Sequence, residues 1–98
     1  LSYYEKALET DSENITSLNG LGYVLACEGK DLSKALSLCK KAVKSSPKSA
    51  ACLDSLGWVY YKLGLYDDAL QYLEQAEQLD GDNVEIANHI KAVRKEKR

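Results

Sequence analysis

Few side chains in this 98-residue chain could do chemistry. The single histidine, His89, is flanked by Asn88 and Ile90. A catalytic base needs a placed nucleophile or acid, and no Ser/His/Asp set, metal motif or phosphate loop accompanies it. His89 therefore reads as a surface or groove-edge residue. The paired carboxylates Asp67 and Asp68 open a helix, where acidic side chains meet the positive pole of the backbone dipole. Cys27, Cys39 and Cys52 stand at spacings of 12 and 13, which fit neither a disulfide framework nor a C-x-x-C zinc or redox pair. They read as free small hydrophobes in a reducing compartment, which leans towards the cytoplasm. No catalytic, cofactor or metal site is expected in this segment, so the reading turns from enzyme to binding protein.

Charge narrows the partner. The formal net charge is -2 and the sequence pI about 5.4, whereas a chain that neutralises phosphates needs a basic face. The one basic cluster runs from Lys91 to Arg98 and suits a solvated helix end, so no nucleic-acid partner is expected. No apolar run approaches the ~20 residues of a membrane span, and no signal peptide is visible. The chain opens on Leu1 and has no methionine, which suggests a piece of a longer protein.

The elements that would hold a binding surface appear when the chain is laid on itself. Leu18-x-x-Leu21-Gly22-x-x-Leu25 recurs 35 residues on as Leu53-x-x-Leu56-Gly57-x-x-Tyr60, and Gly29 recurs as Gly64. Downstream the step is 34: Ala35 to Ala69, Cys39 to Leu73, Ala42 to Ala76 and Pro47 to Gly81. One residue is thus inserted between Gly29 and Ala35, in a turn, where a structural repeat tolerates it. Leu18, Leu21, Gly22 and Leu25 share one helical face. A glycine inside a helix costs roughly 1 kcal/mol against alanine, so Gly22 and Gly57 require close approach of a second helix. Ala35, Ala42, Ala69 and Ala76 are its matching small residues. Gly29 and Gly64 end helices in the left-handed conformation. Ser46-Pro47 and Asp82 with Glu85 look like helix starts. The spacing predicts helices near 2–10, 15–28, 32–45, 48–63, 66–79 and 83–96, each antiparallel to the next.

These residues resemble the tetratricopeptide repeat pattern W-x-x-L-G-x-x-Y … A-x-x-x-F … P. Leu53-Leu56-Gly57-Tyr60 … Ala69-Leu73 … Ala76 is similar to it, as is Leu18-Leu21-Gly22-Leu25 … Ala35-Cys39 … Ala42 … Pro47. Leucine replaces Trp at 18 and 53, and Cys39 stands where an aromatic is usual. Sel1-like repeats have longer, variable loops that fit a 34/35 step less well. The division expected is a partial repeat over 1–14, repeats over 15–49 and 50–83, and a capping helix or partial repeat over 84–98. Lys91 occupies the place of the packing glycine there, as a solvating cap requires.

The resemblance implies an all-α, right-handed superhelix of antiparallel helix pairs whose first helices line a concave, peptide-binding groove. Helical rotation of about 100° per residue places Trp58 opposite the Leu53–Leu56–Tyr60 seam, beside Asp54 and Tyr61. The equivalents one repeat earlier are Asn19, Tyr23 and Ala26, and the next helix offers Asn88, Ala92 and Lys95. The expected binding stripe is Asn19, Tyr23, Asp54, Trp58 and Tyr61, with Lys62 and His89 at its margins; Trp and Tyr are the usual anchors of binding sites. Trp58 could instead fill space between neighbouring first helices. Some family members clamp a terminal carboxylate with groove-facing cations. The matching positions here are Thr16, Gly20, Ala51, Ser55, Glu85 and His89, which lack the cationic pair, so that mode is not expected. The function expected is capture of a protein or peptide partner. The alternatives are a self-associating spacer in a larger array, or a recruitment region of an enzyme whose catalytic domain lies elsewhere. Leu1–Thr10, without its hairpin partner, is expected to favour a weak homodimer through Leu1, Tyr4 and Leu8.

Overall fold

Local chemistry at the helix ends decides where the chain turns. The computed structural model describes Lys6 and residues 14–97. Five helices follow in order: α1 (Ile15–Glu28), α2 (Leu32–Ser45), α3 (Ala50–Lys62), α4 (Tyr66–Leu79) and α5 (Val84–Lys97). No strand occurs among the described residues. Apart from Lys6, the expected helix over 2–10, with the dimer edge placed on it, lies outside them.

The repeat extends to individual hydrogen bonds. Gly29 N–H donates to Ala26 at 3.0 Å and Lys30 N–H to Leu25 at 3.0 Å; the same bonds recur from Gly64 to Tyr61 at 3.0 Å and from Leu65 to Tyr60 at 2.9 Å. These paired bonds satisfy the last carbonyls of α1 and α3. They need the left-handed backbone that Gly29 (φ 69°) and Gly64 (φ 82°) supply. The inserted residue has its own signature: Asp31 precedes α2 at φ 46°, the one positive-φ residue other than glycine among those described. Aspartate tolerates that region better than most residues.

Two expected helix starts shift. Ser49, not Ser46, caps α3, its Oγ accepting from Cys52 N–H at 3.3 Å. Pro47 lies in the preceding turn, closed by Ser49 N–H to Ser46. Asn83, not Asp82, caps α5, accepting from Ile86 N–H at 3.1 Å while its amide donates to Asp80. Asn14 caps α1 in the same way, accepting from Ser17 N–H at 3.0 Å. The caps Asn14, Ser49 and Asn83 thus follow the repeat, and each satisfies an amide that the helix leaves open.

Small residues set the spacing within each pair. A Cβ on Gly22 would meet Cys39 Sγ at 2.5 Å and the Ala35 carbonyl at 3.3 Å. A Cβ on Gly57 would meet Leu73 Cγ at 2.7 Å and the Ala69 carbonyl at 3.0 Å. Cys39 thus fills the position that an aromatic usually takes, fully buried against Gly22. Gly22→Ala should lower the melting temperature, because overpacking of about 1–3 kcal/mol outweighs a propensity gain of roughly 1 kcal/mol. Adding Cys39→Ala should recover part of that loss in a double-mutant cycle. Additive losses would show that the thiol is not what the new methyl strikes.

The buried residues form clusters along the stack that share the half-buried neighbours Val43, Tyr60 and Tyr72. Leu21, Leu25, Ala35, Cys39, Leu56 and Val59 pack between α1, α2 and α3, and Leu53, Ala69, Leu73, Ile86, Ile90 and Val93 between α3, α4 and α5. Cys27 is exposed, whereas Cys39 and Cys52 are buried. Burial, and then the neighbouring Cys52, push the Cys39 thiol up to about 12. A native thiol titration should therefore modify Cys27 at once and Cys39 only as the domain opens; immediate labelling of all three would contradict this packing.

The basic end of α5 is less free than the sequence implies. Arg94 reaches Glu74 at 3.2 Å and Lys97 reaches Asp67 at 2.6 Å, tying α5 to α4. Such exposed pairs contribute about 0–1 kcal/mol each. Lys91 is exposed, as the outer face of α5 requires.

Candidate functional site

The first helix of each pair touches the next first helix, α1 against α3 and α3 against α5, while the backbones of α2 and α4 do not approach each other within 8 Å between Cα atoms. The chain therefore has an inner row of three helices, and side chains from all three meet on it. α3 supplies Asp54, Trp58, Tyr61 and Lys62 at intervals of four, three and one, which form one side of a helix. α1 supplies Asn19 and Tyr23, and α5 supplies Glu85 and His89, each pair four apart and therefore stacked one turn above the other.

The centre is the contact between Asp54 and His89. His89 Nδ1 lies 2.7 Å from Asp54 Oδ1, and each residue is only 7% exposed. The Asp54 carboxylate can only accept, so His89 Nδ1 carries the proton. Of the two places expected for His89, surface or groove edge, its burial excludes the first: Tyr23 of α1 and Asp54 and Trp58 of α3 close over it. Trp58 stacks on the imidazole with ring centroids 4.1 Å apart, and on Tyr61 at 4.6 Å. Lys62 Nζ lies 5.5 Å from the centre of the indole and 6.0 Å from that of Tyr61, a geometry in which the ring quadrupole attracts the cation.

Tyr23 crosses from α1 to α5. Its hydroxyl donates to Glu85 Oε1 at 3.0 Å and lies 3.5 Å from His89 Nε2. Burial, with hydrogen bonds to Cys27 and Glu85, holds its phenol above the usual tyrosine range. It remains a proton donor to the carboxylate throughout the neutral range. Beside it opens a cleft of about 210 Å³ whose polar lining includes Asn19, Tyr23, Asp54, Ser55 and Glu85.

The seven residues singled out from the sequence thus lie together on α1, α3 and α5. Six are joined by the ring, cation–π and hydrogen-bond contacts above, and Asn19 shares the cleft with Tyr23 and Asp54. Ala26 does not belong to this surface, because it is fully buried in the core. Glu85 and Ser55, which the sequence marks only as positions for a carboxylate clamp, both line the cleft. The i, i+4 spacing of Glu85 and His89 was the available signal for Glu85.

Asp54, Glu85 and His89 offer ligand atoms within 4.8 Å of one another and are the residues that could hold a cation among those described. In the structure Asp54 bonds to His89, and Glu85 accepts from Tyr23, whose hydroxyl links it to His89.

The tetratricopeptide repeat family model matches residues 13–81. The chain belongs to the tetratricopeptide repeat family. It is 41% identical over 80 residues to TPR repeat-containing protein PA4667 of Pseudomonas aeruginosa, covering 82% of this chain and 13% of that protein. It is 35% identical over 77 residues to BBSome complex member BBS4 of Bos taurus, covering 79% of this chain and 14% of that protein. It is 30% identical over 103 residues to Protein STIP1 homolog of Dictyostelium discoideum, covering 98% of this chain and 18% of that protein. The chain spans less than a fifth of the length of each of these relatives. Tetratricopeptide repeats build right-handed helical superhelices and mediate protein–protein interactions, and the family is typically non-enzymatic. Among the described residues no helix is long and apolar enough to cross a membrane.

Proposed function

We propose that this tetratricopeptide repeat segment is a binding module, not an enzyme, and that it holds an extended stretch of a partner protein against α1, α3 and α5. One observation carries the reading. Trp58 Nε1 and Asn19 Oδ1 are buried without a hydrogen-bond partner among the described residues, and both lie on this row. An unpaired buried donor or acceptor costs about 1–3 kcal/mol. An extended peptide offers backbone N–H and C=O groups in alternation and would satisfy both once the side chains over them turn aside. The adjoining Trp58 and Tyr61 rings supply the apolar area that anchors such contacts. The name of one relative, a BBSome complex member, places it in a multi-protein assembly, as a segment with this role would be.

The test is selection of random 12-residue peptides on the immobilised chain. Retained peptides should lose affinity with Tyr61→Ala and keep it with Gln75→Ala, on the exposed face of α4. Sedimentation over a range of concentrations tests the spacer reading. A concentration-dependent mass with no peptide retained would replace capture by self-association.

A further inference from the structure

The polar cleft between α1, α3 and α5 is chemically one-sided. Its lining contains two carboxylates, Asp54 and Glu85, and neither lysine nor arginine. Asn19 Oδ1, on the same lining, is a buried acceptor without a partner. Asn83 also borders the cleft, but its amide is engaged with Ile86 N–H and Asp80. Tyr23 spends its proton on Glu85 Oε1, and His89 spends its Nδ1 proton on Asp54 Oδ1. The Tyr23 and His89 protons therefore serve one oxygen of each carboxylate, and the neutral Ser55 hydroxyl and Asn19 amide are the other donors of the lining. With two carboxylates and no cationic side chain, the cleft is acidic.

We propose that this cleft is a selectivity pocket for a basic side chain, arginine or lysine, of the partner segment. The inference rests on the groove reading above and adds the chemistry of one contact. A guanidinium or ammonium brings several N–H donors and no acceptor, which complements this lining. Charge-assisted bonds to carboxylate are the stronger kind, and a planar guanidinium can engage a carboxylate through two parallel N–H bonds. Lys62 of α3 is directed over the Trp58 and Tyr61 rings and does not line the cleft. The cleft volume of about 210 Å³ accommodates one long side chain. With the aromatic pair one turn further along α3, the partner segment carries a basic residue next to an apolar one. This is opposite in sign to recognition of a terminal carboxylate, and Glu85 occupies one of the positions where that mode would place its clamp.

The test uses the whole 98-residue chain and a library of N-acetylated, C-amidated 12-residue peptides, each sub-library fixed at one position, in EDTA-containing buffer. Arginine and lysine should be enriched at least about tenfold at one position, less so at high salt because exposed charges are screened. Glu85→Gln, at an exposed position, should remove most of that enrichment. Asp68→Asn, an equal charge change on exposed α4, should preserve it. Peptide retention without basic enrichment, or enrichment indifferent to Glu85→Gln, would overturn the pocket and leave the groove standing. Failure to retain any sub-library would remove both. Selectivity that appears only with added Zn²⁺ or Mn²⁺ would make the trio a metal site and overturn the proposal.

Discussion

Trp58→Ala is expected to weaken a groove-bound peptide by roughly 2 kcal/mol, about thirtyfold, while the domain stays folded. The indole is half-buried: it lies against the core between α1, α2 and α3 and stacks on His89 and Tyr61 along the inner row. Removing it loses the largest aromatic surface on that row and the orphaned Nε1 donor. Leu56, two residues earlier, is 2% exposed and sits in the core between α1, α2 and α3. Leu56→Ala should cost about 2–5 kcal/mol of stability through the cavity it leaves. Thermal unfolding and peptide affinity should therefore rank the two variants in opposite order. If Trp58→Ala unfolds the domain as severely as Leu56→Ala, the tryptophan is structural and the inner row is not its binding face.

Gly57→Val should be among the most damaging single changes. The new Cβ would lie 3.0 Å from the Ala69 carbonyl, a backbone atom that can move only if α4 moves, and 2.7 Å from Leu73 Cγ. Separating α3 from α4 disturbs the core that also seats Ile86, Ile90 and Val93 of α5. The expected cost is at least about 3 kcal/mol, at the upper end for overpacking, with a β-branched residue adding a small helical penalty. Lys91→Ala at the equivalent place on exposed α5 should stay within about 0.5 kcal/mol of the parent. Chemical denaturation of both variants checks the pair. A benign Gly57→Val would mean that the two helices do not pack as closely as the glycine implies.

The helices and their pairing were legible because repetition supplies its own control: a position that matters appears twice. Gly22 and Gly57 could be read as contact points since no local preference explains a glycine there, and both proved to face the next helix at Cβ-excluding distance. Cap positions were harder. Ser46-Pro47 and Asp82 carry the right residue types, but Ser49 and Asn83 stand nearer the first helical amide, and the turn between decides the matter. The inner row followed from rotation about α3, which places Asp54, Trp58 and Tyr61 on one side. Rotation could not tell that Asp54 and His89 would be buried against each other, because burial depends on how closely α5 approaches α3. Nor could it show Tyr23 reaching Glu85, 62 residues away, across the face of α3. Ala26 was misplaced for a related reason: near the end of α1 its side of the helix is covered by core from α3.

The most direct test of the central claim is an NMR titration of the ¹⁵N-labelled chain with a library-selected peptide. The Trp58 indole N–H should move as its unpaired proton gains an acceptor. Backbone amides around Asn19, Tyr23, Asp54 and Glu85 should shift with it, while the exposed face of α4 around Gln71 and Gln75 stays still. Shifts confined to α2 and α4, with the indole signal unmoved at saturation, would contradict the account.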